Sequence, residues 1–130
     1  MSSLLILFNH TLTKDQEFDA KNTLKIHNII YPSQEIKSLW ANIPEGRESL
    51  NCYLEDVKEW ILNKAKKGDY ILIQGDFGAT YIMVEYAFNL GLIPIYSTTK
   101  RVANEEKLEG GEIIISKVFK HVIYRKYERG

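Results

Sequence analysis

The chain has 130 residues, 45% apolar and 26% charged, a size and balance that suit one globular domain spanning residues 1–130. Lys plus Arg and Asp plus Glu each number 17. Net charge therefore gives no reason to expect binding to long nucleic acid or to a membrane surface, although a local cluster of cations still suits a small anion.

Leu4–Phe8 is a continuous apolar run, the pattern of a strand buried on both faces. It stops at Asn9-His10-Thr11. Thr13 and Gln16 then spell a capping box, with Asp15 and Glu17 suited to a helix N-terminus, and a short helix is expected to about Lys21. Ile26–Tyr31 reads as a second strand ended by Pro32, and Ser33 caps a helix through Trp40. After a loop at residues 42–46, Leu50, Leu54, Val57, Ile61 and Ala65 mark an amphipathic helix stopped by Gly68. Tyr70–Ile73 is the next buried strand. A helix is expected from about Ala79 to Leu90, then a strand over Leu92–Tyr96, where Pro94 suggests a place near an edge. This alternation predicts an α/β fold, an open and mostly parallel sheet with helices on both faces.

The end of the chain differs. Residues 101–108 and 112–117 flank Glu109-Gly110-Gly111, a hairpin signal, and residues 118–127 alternate with period two. This predicts a C-terminal antiparallel addition, with His121 and Arg125 on one strand face. The helix before it carries Tyr81, Ile82, Met83, Val84, Tyr86, Ala87, Phe88 and Leu90, and is apolar nearly all round. Such a helix is covered on both sides. A second subunit is the expected cover and the C-terminal hairpin the alternative.

Cys52, the single cysteine, excludes an intrachain disulfide and fits a reducing compartment. It lies in a helical pattern and reads as a buried spectator. The first residues lack the basic flank of a signal peptide, and no run approaches the ~18 apolar residues of a membrane span. A cytoplasmic protein is expected.

Ligands of open parallel sheets bind at the carboxyl ends of the strands. Those ends open here into Asn9-His10-Thr11, into Gln74-Gly75-Asp76-Phe77-Gly78-Ala79-Thr80, and into Ser97-Thr98-Thr99-Lys100-Arg101. Gly75 and Gly78 allow close backbone approach, and the helix that follows offers free N–H groups to an anion. Lys100 and Arg101 supply positive charge, Thr98 and Thr99 supply hydroxyls, and His10 can exchange a proton near neutral pH. The set suits a phosphate-containing ligand. Each residue also has a plain structural reading. Asp76 suits a helix cap, the glycines a turn, Lys100-Arg101 a solvated pair and His10 a packing role. Trp40 and Trp60 read as packing residues, and His27 as a structural or surface group. The letters Asp76-Phe77-Gly78 match a kinase metal-binding motif, but no glycine-rich loop, lysine strand or His-Arg-Asp segment accompanies them. The scattered histidines and the one cysteine have no zinc-ligand spacing.

Several motifs together resemble a small family of CRISPR-associated accessory proteins of type III systems. They are Asn9-His10-Thr11-Leu12-Thr13, Leu39-Trp40-x-Asn42-Ile43-Pro44, the long Gly68–Thr80 segment, Leu92-Ile93-Pro94-x-Tyr96-x-Thr98-Thr99-Lys100-Arg101, and the closing residues 118–127. The resemblance implies a Rossmann-like domain akin to cyclic-oligoadenylate sensor domains, acting as a dimeric ring nuclease. Such an enzyme cleaves cyclic tetra-adenylate without a metal or other cofactor, by attack of a ribose 2′-hydroxyl on the neighbouring phosphate. On this expectation His10, Asp76, Lys100 and Arg101 are the catalytic candidates. Asn9, Thr11, Gln74, Gly75, Gly78, Thr80, Thr98 and Thr99 line the ligand. The alternatives are a module that senses or sequesters the cyclic nucleotide without cutting it, and an unrelated phosphate-ligand enzyme or dimeric scaffold.

Overall fold

The computed structural model describes residues 2–130, apart from the side chain of Lys117. Nine elements follow one another: β1 (Ser2–Leu7), α1 (Lys14–Thr23), β2 (Ile26–Ile30), α2 (Gln34–Ala41), α3 (Glu55–Lys64), β3 (Tyr70–Ile73), α4 (Phe77–Asn89), β4 (Ile93–Lys107) and β5 (Ile113–Lys126). The sheet order is β2-β1-β3-β4-β5. The first four strands in that order are parallel, and β5 runs antiparallel to β4. The expected mostly parallel α/β fold with an antiparallel C-terminal addition is therefore present.

Alternating residues of the buried strands serve two cores. Leu5, Leu7, Ile71 and Ile73 pack with residues of α2, α3 and α4, including Ile36, Trp40, Trp60, Ile61 and Met83. Leu4, Ile6, Leu72 and Ile95 pack on the other face with Ala20 of α1. That double coverage explains why β1 and β3 are apolar without interruption.

Local signals set most helix ends. Thr13 accepts from Gln16 N at 3.2 Å while Thr13 N donates to Gln16 Oε1 at 2.9 Å, completing the capping box. Ser33 accepts from Ile36 N. Asp76 caps α4, which starts at Phe77, earlier than its apolar pattern suggests. The helix expected from Leu50 begins only at Glu55; residues 51–54 are turns, and Cys52 among them is exposed rather than buried.

The largest departure lies in β4. The polar run at residues 97–100 reads as a loop in sequence but continues the strand. Thr99 pairs with His121, Lys100 with Lys120, and the ladder runs on to Lys107 opposite Ile113. The two strands thus form a ribbon beyond the edge of β3, which pairs with β4 only through Ile93, Pro94 and Ile95. Pro94 is consequently not at an edge; it sits at the start of β4, where a missing N–H is tolerated.

A register shift between Ser97 and Thr99 breaks the period-two alternation of β5. Thr98 anchors it: its hydroxyl donates to Ile123 O at 3.0 Å and accepts from Ile123 N at 3.1 Å. His121 and Tyr124 consequently share the α1 side, their rings 4.6 Å apart. Arg125 and Tyr127 turn the other way, toward Tyr96. The expectation that His121 and Arg125 share a face fails because of this bulge.

The apolar second face of α4 is covered in part by the chain's own C-terminus. Tyr127 packs against the same core. Arg129 lies 4.8 Å over the Phe88 ring and donates to Asn89 Oδ1. Phe77 and Tyr81 stay exposed.

Candidate functional site

Because β1, β3 and β4 are parallel, their carboxyl ends share one edge of the sheet. The connection from β1 returns to β2 on one side, and that from β3 goes to β4 on the other. The topological switch point therefore lies between β1 and β3. The residues singled out in sequence gather at this edge, divided between the two sides of the sheet.

On the α1 side, a cleft of about 500 Å³ is lined by Phe8, His10, Thr13, Asp15, Gln16, Thr99, Phe119, Lys120 and His121. His10 is exposed and stands edge-on to Phe8, ring centroids 5.1 Å apart at 76°. Arg101 lies 5.2 Å over the Phe119 ring, which places its charge on the same side. His10 and Thr11 also line a neighbouring cleft with Tyr31, Gln34 and Lys37. Lys37 is a rim cation that the sequence pattern did not signal. Asn9 is exposed beside this group.

The wall of the larger cleft holds an unforeseen chain of hydrogen bonds. His121, whose side chain is 3% exposed, places Nε2 2.7 Å from Asp19 Oδ2. Its Nδ1 lies 2.5 Å from Ser97 Oγ. A carboxylate at Nε2 fixes the proton there, so Nδ1 accepts and the Ser97 hydroxyl donates. Gln16 Nε2 donates to the same hydroxyl at 3.3 Å. The order Ser, His, Asp matches a nucleophilic relay, but Ser97 is only 6% exposed and lies beneath Gln16. The chain acts instead as a lock tying β5 to α1, assisted by Tyr124, whose hydroxyl donates to Gln16 O at 2.9 Å. Burial, then the nearby Asp19 charge, pushes the Tyr124 phenol far up.

Burial alone would raise the Asp19 carboxyl. Hydrogen bonds from Thr23 and His121 outweigh it and hold Asp19 below its ordinary value. A depressed carboxylate stabilises the fold above its unfolded pKa, and that contribution is lost as pH falls through the folded one. Between about pH 5 and pH 2, wild type is expected to lose more stability than Asp19→Asn. Urea midpoints at the two ends of that range measure the difference; parallel losses would refute it.

On the α4 side, Gln74, Gly75, Phe77, Thr80, Tyr96 and Tyr127 surround a groove of about 350 Å³. Gln74 stitches the strands together: its N–H donates to Leu7 O and its Oε1 accepts from Ser97 N at 2.8 Å. Gly75 faces Trp40, and a Cβ placed there would lie 2.8 Å from the indole Nε1. Asp76 Oδ2 accepts from Ala79 N at 3.0 Å, so its carboxylate is engaged as a cap. Gly78 lies exposed in the first turn of α4, and Lys100 is exposed on the ribbon beside Lys120. Asp76→Ala is expected to cost about 1 kcal/mol of stability and Asp76→Asn only a few tenths, since asparagine caps equally well. Equal losses in urea unfolding would show that the charge, not the cap, matters.

Trp40 and Trp60 are buried in the core and His27 is exposed on β2, as expected. Among the described residues, no group of three or more His, Cys, Asp or Glu side chains is placed to hold a metal ion. No helix among them is long and apolar enough to cross a membrane.

Residues 2–125 match the family described as "Uncharacterized protein MJ1673 family". The chain belongs to that family. It is 48% identical to the "Uncharacterized protein MJ1673" of Methanocaldococcus jannaschii over 127 residues, 98% of each chain. The match spans the rim segments, the ribbon and the core described above. No solved structure matches the chain.

Proposed function

We propose that the protein is a ring nuclease that binds cyclic tetra-adenylate and opens it in a metal-independent reaction. In the cytoplasm this would switch off type III CRISPR signalling. The resemblance of the rim segments supplies the reaction class. The main structural support is the meeting of those segments at the carboxyl edge of the parallel strands, around the β1/β3 switch point.

The chemistry asks for positioning, charge neutralisation and proton transfer. His10 takes the proton from a ribose 2′-hydroxyl. The 2′-oxygen attacks the adjacent phosphorus while the bond from phosphorus to the 5′-oxygen breaks. The 5′-oxygen leaves with a proton from solvent water, giving a 5′-hydroxyl and a 2′,3′-cyclic phosphate. Arg101 or Lys100 neutralises charge on the phosphorane. A homodimer belongs to the same reading, because a two-fold axis matches a ring of four identical units.

A second reading is a module that binds the ring without cutting it. It is favoured by the engagement of other candidate acid–base groups: Asp76 caps a helix, and both ring nitrogens of His121 have partners. Incubation of excess protein with cyclic tetra-adenylate, with and without EDTA, followed by chromatography, separates the readings. The nuclease gives linear product in both samples. Intact ring that co-elutes with the protein would overturn the nuclease and leave the binding module; a ring that neither binds nor opens would exclude both.

A further inference from the structure

The groove on the α4 side has features that neither a turn nor a helix cap explains. Phe77, the first residue of α4, is 95% exposed. Its backbone is fixed by the Asp76 cap, and the residue lines the groove. The Tyr96 and Tyr127 rings form the facing wall, centroids 4.7 Å apart and tilted by 50°. Both rings are pinned. Arg125 Nη1 donates to the Tyr96 hydroxyl at 3.0 Å, and the Tyr127 hydroxyl donates to Ile73 O at 2.7 Å. Thr80 lines the groove as well, with its Oγ1 enclosed by protein.

We propose that this groove is a nucleobase subsite in which an adenine ring lies between Phe77 and the Tyr96–Tyr127 wall. The inference rests on the adenylate ligand proposed above, but not on cleavage. A flat aromatic ring satisfies the exposed phenyl and the rigid tyrosines together. A bare phosphate satisfies none of the aromatic groups. The groove's volume of about 350 Å³ falls in the range of small-ligand pockets. Base–aromatic stacking also tolerates one open side, as Phe77 provides.

The test is calorimetric titration with adenosine 5′-monophosphate and with ribose 5-phosphate, which carries the same phosphate but no base. Wild type is expected to bind the adenylate roughly tenfold or more tightly than the sugar phosphate. Phe77→Ala, at a position too exposed to disturb the core, is expected to abolish that preference without changing ribose 5-phosphate binding. Equal binding of the two probes by wild type, or a preference that survives Phe77→Ala, overturns the subsite. A Phe77-dependent preference in a protein that leaves cyclic tetra-adenylate intact upholds the subsite and removes the nuclease. Ring cleavage with an unchanged KM in Phe77→Ala does the reverse.

Discussion

His10→Ala is expected to slow single-turnover opening of cyclic tetra-adenylate by about 10²–10⁴-fold, the usual worth of a positioned acid–base group. The imidazole is exposed, stands edge-on to Phe8 and lines both clefts on the α1 side. Which cation works with it follows from the ribbon. Consecutive residues of a strand face opposite ways. Arg101 pairs with Phe119 and Lys100 with Lys120. Phe119 and Lys120 both line the cleft that His10 lines, and it is Arg101 whose charge is placed there, over the Phe119 ring. Arg101→Ala is accordingly expected to cost about 10²–10³-fold in the same assay, with Lys100→Ala costing less. Rapid-quench kinetics with enzyme in excess would decide. Unchanged rates in both His10→Ala and Arg101→Ala would sink the assignment, whereas the reverse ranking of the two cations would move the reacting phosphate to the α4 side.

Gly75→Ala is expected to destabilise the protein by about 1–3 kcal/mol through overpacking, and Trp40→Ala by about 3–5 kcal/mol through cavity formation. The two effects have one origin. Trp40 is fully packed in the larger core, and its Nε1 donates to Gln74 O at 2.9 Å. The indole lies where the Cβ of any residue 75 would fall. A tryptophan from α2 thus holds the turn after β3 from below, and glycine is needed there to admit it. Trp40→Phe would keep most of the packing but strand the Gln74 carbonyl, at about 1–3 kcal/mol. Urea unfolding of the three variants without ligand measures this. A Gly75→Ala protein as stable as wild type would return Gly75 to the role of close contact with a ligand.

Much of the fold is legible from local chemistry. Apolar runs mark β1 and β3, Thr13-x-x-Gln16 and Ser33 mark helix starts, and Glu109-Gly110-Gly111 marks the hairpin. Each of these signals acts within a few residues. What escapes is set by distant partners. Thr98–Arg101 looks like a loop because nothing nearby shows that residues 119–123 will pair with it. The Thr98 bulge then reverses the face of every residue beyond it, so period-two reading misplaces Arg125 relative to His121. Asp19 and His121 are separated by 102 positions, and no spacing rule could join them. The same holds for Gly75, whose lack of a side chain answers to Trp40. Phe77 shows the converse: its apolar character suggests burial, yet its place at the first turn of α4 leaves it in solvent.

The ribbon beyond β3 makes a built-in reporter of assembly. Ile113, Ile115, Val118 and Phe119 are exposed along it, and its strands are held there mainly by each other. Two strands alone are only marginally stable in water, so their amides should open locally long before the core unfolds. In a lone protomer the deuterium uptake of residues 101–107 and 113–119 should thus be fast and independent of the stability of β1 and β3. A subunit or ligand that covers the ribbon would slow uptake there while leaving β1 and β3 unchanged, so the same hairpin gives each binding event its own exchange signature.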